Sequence, residues 1–152
     1  MRPLILLAAM LLAACSTYPE EPTRAELDAI RKAQNIFPAN YKADVIAFLR
    51  NYLNDPTGIR GAAISTPELK TLPTGERYIA CLRYDAKKAS GEYAGLKTVL
   101  VVFISGRLDR FVDSPPGRDT QDENATARRA EVREACKDVS FAPFPELQFL
   151  KR

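Results

Sequence analysis

Leu96-Lys97-Thr98-Val99-Leu100-Val101-Val102-Phe103-Ile104 is the stretch on which the fold turns. From Val99 onward it is an unbroken apolar run, rich in β-branched residues and far too short to cross a bilayer as a helix, and that predicts a strand buried on both faces. Ser105-Gly106 follows as a two-residue hairpin turn into a second strand, Arg107 to Val112. On the other side, Ala89 to Gly95 holds two glycines and fits a longer hairpin loop. Before that loop, Arg77 to Asp85 alternates, with Tyr78, Ala80, Leu82 and Tyr84 on one face and Ile79 and Cys81 on the other. A weaker strand, Ile59 to Ser65, comes earlier, with a turn around Pro73-Thr74-Gly75 between the two. The expected product is an antiparallel meander in which Leu96–Ile104 is the most buried strand.

Upstream of Ile59 the period is helical. Thr23-Arg24-Ala25-Glu26 has the capping-box pattern, and Leu27, Ile30, Ala33 and Phe37 follow at helical spacing until Pro38 stops the run. Asn40 is a suitable N-cap for a second helix, whose Tyr41, Val45, Phe48, Leu49 and Tyr52 form one apolar face; Asp55-Pro56 forbids its continuation. Core packing explains that aromatic stripe more simply than a partner groove does. Downstream, Ser114-Pro115-Pro116-Gly117 ends the sheet, and Asp122 to Lys137 is expected as a third helix with Val132 and Cys136 four apart on one face. The ending, Phe141-Ala142-Pro143-Phe144-Pro145-Glu146-Leu147, is expected either to cover a sheet edge in extended form or to dock a partner. The fold class is therefore α+β: two N-terminal helices, an antiparallel β-meander and a C-terminal helix.

Composition removes whole classes of chemistry. The 152 residues contain no histidine, so a Ser-His-Asp triad, a Cys-His pair and any histidine metal site are impossible. Three cysteines at positions 15, 81 and 136 do not form a CxxC redox pair. GxGxxG and P-loop patterns are missing, and carboxylates, Lys, Tyr and Ser stand at no spacing that singles one out for catalysis. The expectation is a protein that is not an enzyme and uses no cofactor. A net charge of +3, with acidic and basic residues interspersed, gives no reason to expect nucleic acid as a partner.

The N-terminus carries the strongest motif. After Met1-Arg2-Pro3 the chain is apolar from Leu4 to Ala14. Eleven such residues make a helix of roughly 16 Å, about half of a ~30 Å hydrocarbon core and suited to a signal peptide. The run ends Leu12-Ala13-Ala14-Cys15 and continues Ser16-Thr17, which resembles the lipobox of bacterial lipoproteins. The resemblance implies cleavage before Cys15, a diacylglyceryl thioether on its sulfur and acylation of its new amine; two or three chains at ~0.8 kcal/mol per buried methylene anchor durably. Residues 1–14 are then the signal peptide, 15–22 a short lipidated tether and 23–152 a single α+β periplasmic domain. Because Ser16 is not the aspartate that retains lipoproteins in the inner membrane of enteric bacteria, the resemblance points to the outer membrane, facing the periplasm, with the inner membrane as the alternative.

Export leaves Cys81 and Cys136 as an even pair in an oxidising compartment, and a disulfide between them is expected, with two buried thiols as the alternative. Leu53-Asn54-Asp55-Pro56, then Tyr78-Ile79-Ala80-Cys81, then the loop from Asp85 to Gly95 are similar to small exported bacterial proteins of unknown function, which carry a Leu-x-Asp-Pro motif, a cysteine strand and a glycine-tyrosine loop. Asp85 and Lys88 stand where that loop commonly has asparagines. The resemblance spans roughly residues 41–104 and implies an exported α+β domain. In the order of its elements alone, the chain is also similar to small outer-membrane assembly lipoproteins.

Two places are candidate binding sites. In the loop, Gly91, Tyr93 and Gly95 either present the tyrosine outward or let it fold onto the sheet. Arg107, Arg110, Arg128, Arg129 and Arg133 form either an anion-binding face or an ordinary solvated one. The functional expectation is a membrane-anchored binding or assembly module with an envelope protein partner. The alternative is an inhibitor or small-ligand binder that uses the loop.

Overall fold

From Val99 to Phe103 no residue is more than 2% exposed, as a strand buried on both faces requires. This strand, β4 (Lys97–Ile104), lies between β3 (Gly75–Lys87) and β5 (Arg107–Val112) and is antiparallel to both. The computed structural model describes residues 21–113 and 123–151. The signal segment 1–14, Cys15, most of the tether and the Ser114-Pro115-Pro116-Gly117 loop lie outside the described residues.

The described sheet has six antiparallel strands in the order β5-β4-β3-β1-β6, with β2 off this path on β3. Here β1 is Asp55–Ser65, β2 Glu68–Leu72 and β6 Phe141–Pro143. One edge of β3 is shared: β2 pairs along Gly75–Ile79 and β1 from Leu82 to Lys87. Thr66 and Pro67 fill the break between them, and the N–H of Cys81 donates to the Ser65 hydroxyl there at 2.9 Å.

Alternation along β3 sorts the core into two layers. Ala80, Leu82, Tyr84 and Ala86 join Val99, Val101 and Phe103 on one face, under Val45 and Leu49 of the helix α2 (Tyr41–Tyr52). Ile79 and Cys81 join Leu100 and Val102 on the other, under Val132 and Ala135 of α3 (Glu123–Ala135). At about 1.5–3 kcal/mol per fully buried aliphatic side chain, these layers account for most of what drives folding.

Four departures from expectation have physical reasons. The first helix, α1 (Arg24–Gln34), has the expected Thr23–Glu26 capping box but stops short of Phe37 and buries none of its residues. Asn35 closes it by donating its N–H to Arg31 and Lys32 carbonyls, and the Gln34 carbonyl accepts the Ser105 N–H instead. β1 starts at Asp55 rather than Ile59, because Gly58 and Gly61, at φ +67° and +58°, absorb two irregularities in its register against β3. β2 precedes the Pro73-Thr74-Gly75 turn where no strand was expected; Leu69 is 45% exposed and Leu72 is its one buried residue. A fourth helix, α4 (Pro145–Gln148), follows β6 and buries Phe144 and Leu147 completely in the α2 layer. β6 pairs with the open side of β1 at Ala63–Ser65, so Phe141–Pro143 covers a sheet edge.

Candidate functional site

The Cys81–Cys136 disulfide organises the second face of the sheet. Its sulfurs are 2.02 Å apart and the Cα atoms 5.7 Å, joining the middle of β3 to the turn after α3. Val132 and Ala135 seat the helix on Leu100 and Val102, so its position over the sheet is fixed by packing and by a covalent bond.

Between α3 and the start of β4 lies a groove of about 530 Å³, within the range of ligand-binding clefts. Leu96, Val132, Cys136 and Phe141 supply its apolar surface, and Leu96 is 59% exposed. Lys97, Arg129 and Arg133 supply its charges, and among the described residues no carboxylate lines it. Lys97 also pairs with Asp113 at 2.5 Å, so its ammonium is already partly neutralised. An apolar floor with a basic rim suits an amphiphilic anion or an acidic, partly apolar peptide.

The loop residues divide. Tyr93 is turned inward: its hydroxyl donates to the Gly58 carbonyl at 2.8 Å, and the Arg60 guanidinium lies 3.6 Å from its ring centre. The outward presentation that would make Tyr93 a binding group is not what the structure has. Gly95 donates its N–H to Asp85 at 2.8 Å and, with Ala94, forms one wall of the groove. Gly91 stands clear of the groove, in a turn closed by its N–H to Lys88 O. Gly91 and Gly95 have φ of +85° and +97° with open space at the Cβ position, so backbone conformation is what requires glycine there.

The arginines do not form one face. Arg107 pairs with Asp44 of α2 at 3.3 Å and Arg110 with Glu131 of α3 at 2.8 Å, on opposite sides of the sheet. Of the five, Arg129 and Arg133 reach the groove.

Titration behaviour gives no acid or base poised near neutrality among the groups with resolved shifts. Burial, reinforced by a 2.9 Å hydrogen bond to Asp113, pushes the Tyr52 phenol up to about 12. Burial, then the nearby Asp113 carboxylate, also raises Tyr84. The Thr57 hydroxyl and N–H lower Asp55, and the Thr23 N–H and hydroxyl lower Glu26. Among the described residues no group of three or more His, Cys, Asp or Glu could hold a metal, and no helix is long and apolar enough to cross a membrane.

Sequence reasoning missed the groove. Its one visible signal was Leu96, an apolar residue stranded between Gly95 and Lys97 just before the strand. The chain matches no family model, and comparison with curated proteins and solved structures gives no match.

Proposed function

We propose that this chain is a lipid-anchored envelope lipoprotein that works by binding rather than catalysis, held at the periplasmic face of the outer membrane through Cys15. The observation that carries the binding role is the groove beside α3, with its apolar floor, its basic rim and its disulfide-stapled wall. A rigid wall favours binding because little ordering entropy is lost when a partner arrives. The missing histidine, which removes triads and histidine metal sites, supports a non-catalytic role. The occupant proposed is an envelope protein that offers an acidic, partly apolar segment.

A photoreactive side chain at Arg133, in intact cells, tests this. The reading expects a discrete protein adduct at Arg133 and none from the same group at exposed Asp109 on β5. Equal adducts from both positions would contradict it. The groove's volume favours a second reading, a small-ligand binder with Ala94 and Gly95 as part of the site. That reading expects no protein adduct and an amphiphile that co-purifies with the wild type but not with Leu96→Asp.

A further inference from the structure

The helix α1 is amphipathic, and no described residue buries its apolar side. Leu27 and Ile30 lie on one stripe, 39% and 48% exposed, and no residue of α1 is buried. Just beyond the helix, Ile36 and Phe37 are 53% and 47% exposed, although they touch Gly106 and Tyr78. One backbone hydrogen bond, Ser105 N–H to Gln34 O, and the Ile36 side chain beside Gly106 tie this end of the chain to the β4–β5 hairpin, while the Phe37 ring packs against Tyr78 of β3 at 5.4 Å. Apolar side chains that the core has no use for are informative when they share one face of one helix.

What covers that face is indicated by where the helix stands. Thr23, its N-cap, is eight residues after Cys15, so with lipid on that cysteine α1 begins at most ~28 Å from the anchored sulfur. Arg24 and Arg31 border the apolar stripe on one side and Glu26 on the other, Lys32 lies on the far face, and Arg31 pairs with Asp28 at 3.3 Å. An exposed apolar stripe beside two arginines, at the end of a short tether, matches an interfacial helix whose cations meet anionic headgroups along one side. We propose that α1 lies along the membrane surface with Leu27 and Ile30 sunk into the headgroup–acyl boundary, holding the domain against the bilayer. This rests on the lipidation of Cys15: the anchor supplies a high effective concentration, so a short stripe that would bind poorly by itself stays inserted.

The chain contains no tryptophan, so a single introduced indole reports without background. Ile30→Trp and, as control, Leu96→Trp are made in the full chain, produced in a lipoprotein-processing bacterium and reconstituted into phosphatidylethanolamine–phosphatidylglycerol vesicles. Leu96 is 59% exposed but precedes the opposite end of β4, about 26 Å along the strand from the hairpin that holds α1. The proposal expects blue-shifted emission from Ile30→Trp, with quenching by lipids brominated high on the acyl chain, and neither from Leu96→Trp. Protein that floats with the vesicles yet shows unshifted, unquenched emission from Ile30→Trp overturns this proposal and leaves the anchor standing. Protein that carries no lipid and does not float overturns both. If the vesicles leave Ile30→Trp unshifted and a photoreactive group at Ile30 captures a protein in cells, the face belongs to a protein and the proposal fails.

Discussion

The Ser65 hydroxyl accepts the N–H of Cys81 at 2.9 Å, filling the place where β1 has ended and β2 has not begun. Ser65 is 3% exposed and is the buried polar residue among those described. Without its oxygen, a buried donor in the middle of β3 would lack a partner. Ser65→Ala is therefore expected to cost about 1–3 kcal/mol, the penalty for an unsatisfied buried group rather than for one hydrogen bond. Urea unfolding of the two proteins measures it. A loss below about 0.5 kcal/mol, the ordinary range for a surface change, would show that the donor is satisfied in another way.

The disulfide spans a sequence separation of 55. On the chain-entropy account, constraining an unfolded loop of that length stabilises by about 4 kcal/mol. Unfolding with and without reductant should differ by about that much, with the lower midpoint in reductant. The Cys81 and Cys136 thiols should resist labelling in unfolded, unreduced protein. Free labelling there would contradict the bond.

Tyr93 braces the loop that walls the groove. Tyr93→Phe removes the bond to Gly58 O but keeps the ring under Arg60, so the expected cost is about 1 kcal/mol. Faster amide exchange in residues 88–95, with the sheet unaffected, is the local signature. Unchanged exchange in the loop would show that Tyr93 does not hold it.

Tyr52 sets an alkaline limit. Its folded pKa is about 12 against an ordinary 10, so its neutral form is the one the fold favours. The stability this contributes is fully present below pH 10 and is lost as the pH rises towards 12. In Tyr52→Phe that part of the alkaline decline should vanish, leaving a flatter profile between the two values. A profile that declines as steeply as that of the wild type would place the sensitivity elsewhere.

How much of this could be seen beforehand depends on whether the signal was local. The run Val99–Phe103, the alternation of Tyr78 to Tyr84 and the Ser105-Gly106 turn each state their structure within a few residues, and the sheet follows them. α1 was legible as a helix for the same reason, through Thr23 and Glu26. That no described residue would bury Leu27 and Ile30 was not legible, because periodicity says which face is apolar and not what meets it. β2 escaped because Leu69 points to solvent, and α4 because the prolines around Phe144 read as extended chain. The groove joins Leu96, Val132 and Phe141 from three separate segments, and no window along the chain contains them all.

Cys15 carries the proposed anchoring. Cells producing the wild type and Cys15→Ser, grown with radiolabelled palmitate and then fractionated, give the most direct test. The wild type is expected to be labelled, to sediment with membranes and to have lost residues 1–14, while Cys15→Ser carries no label. A Cys15→Ser protein that stays membrane-bound with its palmitate undiminished would contradict it.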